Sequence, residues 1–224
     1  MKQIALDIGL ARLPTLDNFH GGSNLAVLQH LQLWSRSATR SPVPTYLWGE
    51  GGSGKTHLLE AVAQALREQG ARVGWLTRAD AVPSAFDERW AAVLMDDVHA
   101  FNAEQQHAAF SWFVQAQSLQ RAVLAAGAWP PADLPLREDL RTRLGWGHVF
   151  ELALPGETER RAVLRRAADA RGLFLSDEVM DFMLHRFPRD LGSLMQWLAQ
   201  LDAYALRTQR ALTVPLIRAM LEDT

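Results

Sequence analysis

The chain of 224 residues contains no cysteine, which excludes disulfides and thiolate chemistry and suits a reducing, cytoplasmic setting. It has no apolar run near the ~18–20 residues that span a bilayer, so no membrane association is expected. The opening MKQIALDIGLARLP meets an acid and a proline soon after its first lysine, which leaves no room for a secretory signal. An excess of positive charge is missing as well: 23 Lys and Arg stand against 25 Asp and Glu, a net of -2. A protein whose main affinity is for a phosphodiester backbone needs a basic footprint, so direct sequence-specific DNA binding is not expected. Internal repeats and low-complexity tracts are also absent. Core material, by contrast, is plentiful. Hydrophobic residues make up 48% of the chain, enough for one large α/β domain or a medium domain with a small companion.

Residues 1–20 show no sustained period and read as an extended arm. Leu25, Leu28, Leu31 and Leu33 predict a helix over 24–37, and the Ser- and Pro-rich run from Ser37 to Pro44 predicts a loop. An alternation then decides the fold class. Strands are predicted at 46–50, 72–77, 91–97, 121–127 and 148–154, with helices at 55–69 and 104–119. Strands rich in Val and Leu on both faces, alternating with helices, read as α/β: a parallel sheet flanked by helices. After Pro155 the strands stop. Helices are predicted near 157–171, 176–187, 190–207 and 214–222, with Thr158, Ser176 and Thr213 as N-caps. The expected organisation is an arm over 1–20, an α/β domain over 21–155 and a small all-helical domain over 156–224.

Two motifs carry chemistry. Gly49, Glu50, Gly51, Gly52, Ser53, Gly54, Lys55 and Thr56 match GxxxxGKT after a predicted strand and at the opening of a predicted helix. Glycines let the backbone wind around phosphates, and the N–H groups of a helix start meet their charge. Gly49, Gly51, Gly52, Ser53, Gly54, Lys55, Thr56 and the adjoining His57 are therefore the candidate nucleotide-binding residues. Lys55 is placed for the outer phosphates and Thr56 for Mg²⁺. The second motif is Val93-Leu94-Met95-Asp96-Asp97, an apolar strand that ends in carboxylates where such sheets bind ligands. Asp96 is the candidate Mg²⁺ partner and Asp97 the candidate that orients an attacking water.

Together with Leu140-Arg141-Thr142-Arg143-Leu144-Gly145-Trp146-Gly147 and the helical tail from Ala211 to Leu221, these motifs resemble the AAA+ core of the DnaA family from about residue 17 onward. The resemblance implies an AAA+ P-loop domain, a helical lid, ADP or ATP with Mg, and an arginine finger at Arg143 that acts in trans. A solvated arginine face is the alternative for the pair Arg141 and Arg143. The initiators of this family carry a helix-turn-helix module after the lid, whereas this sequence stops at Thr224. What is present is similar to the DnaA-related regulators that inactivate the initiator. Gln3-Ile4-Ala5-Leu6-Asp7-Ile8 is similar to the peptide by which such proteins hold the DNA polymerase III β sliding clamp, with Gln3, Leu6 and Ile8 as anchors. An arm that covers its own core is the competing reading.

Two positions depart from the family pattern. The strand end that usually bears a polar sensor reads Ala125-Ala126-Gly127, and the lid arginine that senses nucleotide aligns with Gly192, three residues after Arg189. A site without those groups binds nucleotide but lacks donors for transition-state charge, so slow intrinsic hydrolysis is expected. The expected function is regulation of replication initiation by stimulating hydrolysis of DnaA-bound ATP. The alternative is an autonomous AAA+ ATPase that remodels proteins or loads a helicase. Self-association into a homo-oligomer stays open. His99 and His107 follow the acidic pair without a ligand set around them, so they are not expected to bind metal.

Overall fold

The computed structural model describes residues 14–37, 40–188 and 190–223. The chain divides into two compact units, one spanning Pro14–Leu154 and the other containing Pro155–Thr224.

The first unit is built on five parallel strands: β1 (Thr45–Trp48), β2 (Arg72–Leu76), β3 (Trp90–Met95), β4 (Ala122–Gly127) and β5 (His148–Glu151). Their order across the sheet is β2-β3-β4-β1-β5, with every pair parallel. Parallel strands need crossovers, and helices supply three of them. Helix α1 (Leu25–Arg36) precedes β1, α2 (Lys55–Glu68) leads to β2, and α3 (Ala103–Ser118) links β3 to β4. A helix over Glu138–Gly145, α4, precedes β5. The central strands β3 and β4 read as unbroken apolar runs because both of their faces are covered. Leu47, Leu94, Leu124 and Ala126 pack with α1 and α2 on one face. Tyr46, Val93, Met95, Val123 and Ala125 pack with α3 and α4 on the other. β1 and β3 therefore flank β4, and the loops after these parallel strands gather at the same end of the sheet.

The second unit is all helix: α5 (Glu157–Asp169), α6 (Asp177–Arg186), α7 (Leu191–Thr208) and α8 (Val214–Glu222). Leu164, Met180, Met183, Leu194, Leu198, Leu201, Leu216 and Ile217 form its core. Ser176 and Thr213 are N-caps, accepting from Val179 N–H and Leu216 N–H through their side chains. Thr158 is not. Helix α5 starts two residues earlier than a Thr158 cap would place it, with Gly156 as N-cap, and the Glu159 carboxylate accepts the Gly156 N–H at 2.8 Å. Four strands, β1, β2, β3 and β5, also stop short of their expected ends. β1 ends at Trp48 because the loop that follows begins at Gly49 with φ 151°. Helix α4 was not expected from the sequence; its strongly polar run buries only Leu140 and Leu144. Among the described residues no helix is long and apolar enough to cross a membrane.

Candidate functional site

The loop from Gly49 to Thr56 runs from β1 into α2. Gly54 has φ 99°, and a Cβ there would sit 2.7 Å from the Phe19 ring, so only glycine suits the position. At Gly49 a Cβ would strike the Leu152 carbonyl, which packs the loop base against the end of β5. Lys55 opens α2 with 7% of its surface exposed, and its ammonium donates to the Gly49 carbonyl at 2.7 Å and the Glu50 carbonyl at 2.8 Å. Ser53 Oγ lies at 3.3 Å from the same nitrogen. Burial lowers the Lys55 pKa, and the charges of Asp97 and Asp96 pull it back up. A buried ammonium of this kind, with its charge spread over neutral carbonyls, is suited to an anionic ligand.

Asp96 and Asp97 leave β3 beside this loop. Thr56 Oγ1 donates to Asp96 Oδ2 at 2.7 Å, and the Asp97 N–H donates to Asp96 Oδ1 at 2.9 Å. Burial pushes the Asp96 pKa up; the Thr56 hydroxyl opposes that shift and the Asp97 charge adds to it. Thr56 and Asp96 thus form a two-oxygen set. No cluster of three or more metal-ligating side chains occurs among the described residues, and Mg²⁺, which keeps waters and substrate oxygens, fits a set of two. Asp97 adopts the left-handed region at φ 52°, and the Arg78 guanidinium lies 3.6 Å from its carboxylate. His57 faces back from the loop: its Nε2–H donates to the Thr15 carbonyl at 3.3 Å, and its ring lies 5.6 Å from Phe19.

The end of β4 carries no polar side chain. Ala125 and Ala126 are fully buried, and a Cβ at Gly127 would run into the Tyr46 hydroxyl. Tyr46 itself is fully buried, and its hydroxyl donates to the Trp129 carbonyl at 2.8 Å. The volume in which a longer residue-127 side chain would start is therefore filled from β1. His99 Nδ1 accepts the Ala128 N–H at 3.2 Å, which commits this histidine to the backbone. In the helical unit, Gly192 lies in the first turn of α7, where Asp190 caps the Ser193 N–H at 2.8 Å. Arg189 lies outside the described residues, as do Gln3, Leu6 and Ile8.

Arg143 lies on α4, half-buried. Its guanidinium sits 5.2 Å from the Phe110 ring centre and 5.7 Å from that of Phe113, both on α3. Arg137 approaches Phe110 from elsewhere at 5.6 Å and pairs with Asp139 at 2.7 Å. Phe110, Arg137, Glu138, Asp139, Thr142 and Arg143 line an open pocket of about 730 Å³. An arginine laid on aromatic faces keeps its charge and loses rotamer freedom, so its donors are held ready for a planar or tetrahedral anion.

The model of the bacterial DnaA ATPase domain matches residues 10–151, and that of the Hda lid domain matches residues 157–221. This chain belongs to the bacterial DnaA family. It is an Hda-like AAA+ protein of that family, with the DnaA-type ATPase domain followed by the lid. An uncharacterised protein of Haemophilus influenzae is 33% identical over 229 residues, covering 98% of each chain. Among solved structures, domain III of the Thermotoga maritima replication initiation protein DnaA superposes with a TM-score of 0.76 at 21% identity, over 93% of this chain and 95% of that one. AMPPCP-bound DnaA from Aquifex aeolicus gives a TM-score of 0.69 at 20% identity, over 90% of this chain and 68% of that one. The Thermotoga maritima RuvB branch migration motor shares the fold as well, with a TM-score of 0.67 at 18% identity, over 94% of this chain and 72% of that one.

Within the DnaA-type domain the structure brings Lys55, Thr56, Asp96 and Asp97 together at one sheet edge, as their spacing suggests. Arg143 is placed on a separate aromatic support. Sequence reasoning missed Arg78, Phe19, Tyr46 and Phe110. Arg78 carried no signal, since one arginine after a strand is unremarkable. Tyr46 had a usable one: a strand residue just ahead of the glycine loop, in a chain with only two tyrosines.

Proposed function

We propose that this DnaA-family protein is a regulator that turns off the initiator by promoting hydrolysis of DnaA-bound ATP. The observation that carries the reading is Arg143, pre-set over Phe110 and Phe113 at an open surface, in a chain whose own strand end at Ala125-Ala126-Gly127 bears no polar side chain. In the proposal the home site binds ADP or ATP with Mg. The glycine loop and Lys55 hold the phosphates, and Thr56 with Asp96 holds the cation. A bound triphosphate supplies the transferable phosphoryl group, and this chain's residues bind and orient it. Asp97 is the water-orienting group at home, but no side chain from β4 assists it, and that predicts slow intrinsic turnover. Arg143 instead places its guanidinium against the phosphates of the partner's nucleotide. Gln3, Leu6 and Ile8 tether the chain to the sliding clamp.

The test is hydrolysis of DnaA-bound ATP with and without this protein on clamp-loaded DNA. Wild type should accelerate it, and Arg143→Ala should not, while keeping fold and bound nucleotide. Arginine fingers in GTPase systems contribute roughly 10³–10⁵ in rate; a smaller factor is expected here. Arg143→Lys should rescue only in part, because an ammonium does not reproduce the planar two-pronged donor. An Arg143→Ala variant as active as wild type would refute the reading. The intact Lys55, Thr56, Asp96 and Asp97 set favours a second reading, an autonomous ATPase that remodels proteins or loads a helicase. Fast turnover by the isolated chain would select it.

A further inference from the structure

Trp146 stands three residues after Arg143, at the C-terminal end of α4, with 66% of its surface exposed. An indole that open to water contributes little to the fold by burial. Its backbone is nevertheless held on both flanks. The Trp146 N–H reaches the Arg143 carbonyl at 3.3 Å. A Cβ at Gly145 would sit 3.1 Å from Pro131 Cβ, and a Cβ at Gly147 would collide with the Pro44 carbonyl. The His148 N–H donates to that same carbonyl at 2.8 Å. Close packing thus discourages a side chain at 145 and excludes one at 147, and the tryptophan is displayed from a fixed support. Val149, 38% exposed, follows two residues beyond the second glycine.

Arg143 is arranged the opposite way. It is half-buried and laid against two phenylalanine rings, and neither it nor Arg141 has an ion-pair partner among the described residues. One end of α4 therefore combines unneutralised guanidinium charge with an open indole carried on a closely packed backbone. That combination suits a partner surface with an anionic group and an apolar rim beside it. Interface energy concentrates in such aromatic anchors, whereas a guanidinium aimed at a reacting phosphate acts mostly on the transition state.

We infer that Trp146 is the affinity anchor of the Arg143 surface and inserts into the nucleotide-holding face of the partner AAA+ domain. Binding and rate are then divided between neighbouring residues of one helix end. The inference rests on the trans-acting reading of Arg143 and adds the residue that sets how tightly the partner is held.

The experiment titrates ATP-loaded DnaA with this protein on clamp-loaded DNA and reads two quantities. One is the dissociation constant, from fluorescence anisotropy of labelled DnaA; the other is the hydrolysis rate at saturation. Because Trp146 is exposed, Trp146→Ala should fold normally, as a melting curve checks. It should bind about tenfold more weakly or worse, with the saturating rate unchanged. Trp146→Phe should recover part of the affinity. Arg143→Ala should show the reverse pattern, with near-normal affinity and a lost rate. A Trp146→Ala variant with wild-type affinity, or with a reduced saturating rate as its only defect, overturns the inference. So does a variant that alters self-association in sedimentation while leaving DnaA affinity intact, which would assign the indole to contacts between copies of this chain. Failure of the trans-acting reading appears separately, as an Arg143→Ala variant with a normal saturating rate.

Discussion

Restoring a side chain at the end of β4 should damage the fold before it can help catalysis. Gly127 is fully packed, and a Cβ there meets the Tyr46 hydroxyl head-on, with Val98 Cγ2 at 3.2 Å and Tyr46 Cζ at 3.3 Å. Tyr46 has no exposed surface and cannot swing into solvent. Gly127→Ala must therefore push the phenol or the strand, an overpacking cost of ~1–3 kcal/mol. Moving the phenol also breaks its 2.8 Å bond to the Trp129 carbonyl. Leaving those buried groups unpaired adds roughly 1–3 kcal/mol. The smaller backbone freedom of alanine in the unfolded chain returns about 0.4–1 kcal/mol. The net expectation is a loss of about 2–4 kcal/mol for Gly127→Ala, and more for serine. Tyr46→Phe alone should cost ~1–2 kcal/mol through the lost hydrogen bond. In the double variant the clashing oxygen is gone, so the two losses should not add. We expect a coupling of about 1–3 kcal/mol in favour of the pair. Urea unfolding followed by circular dichroism measures all four proteins, with m-values checked for constancy. Additivity within the error, or a Gly127→Ala loss below about 0.5 kcal/mol, would show that the packing around Tyr46 is not the constraint.

Three further outcomes are expected. Lys55→Ala should erase the melting shift produced by ADP, which in wild type corresponds to about 2.7 kcal/mol at a hundredfold excess over Kd; equal shifts would remove Lys55 from the site. Burial lowers the His57 pKa, so the folded state favours the neutral ring. Its contribution is complete above the ordinary histidine value and declines as pH falls through the lowered one, and His57→Gln should flatten stability over that acid range in denaturation series at stepped pH. Replacing Gln3, Leu6 and Ile8 with Ala should abolish clamp capture without changing unfolding or nucleotide binding, as a pull-down paired with a melting curve would show.

The division between what the residues announced and what they hid follows from range. The α/β class, the glycine loop and the acidic strand end are local patterns, each contained within a few residues and set by backbone geometry or by burial on both strand faces. Ser176 and Thr213 were legible as N-caps for the same reason, whereas Thr158 misled because Gly156 and Glu159 offered an earlier start. Helix α4 escaped periodicity because two leucines suffice to dock it while the rest is charged. The aromatic support of Arg143 comes from α3, thirty residues or more earlier, and the plug at Gly127 comes from β1. Such pairings exist only after the sheet has brought distant segments together, so a local stretch can single out a residue such as Tyr46 but not the partner it meets.

The outer flank of the sheet bears on how the protein behaves when crowded. β5 pairs with β1 alone, and its continuation at Ala153 is met by Asn24, whose side-chain amide donates to the Ala153 carbonyl at 3.0 Å and accepts its N–H at 2.9 Å. One asparagine thereby imitates the rung that a sixth strand would add. An incoming extended chain would find four residues, His148–Glu151, and then a position already taken. Long unpaired edges recruit other chains and seed aggregates, whereas this edge is too short to hold one. The expectation on this flank is that Asn24→Ala, which frees the Ala153 rung, lowers solubility well before it abolishes the fold.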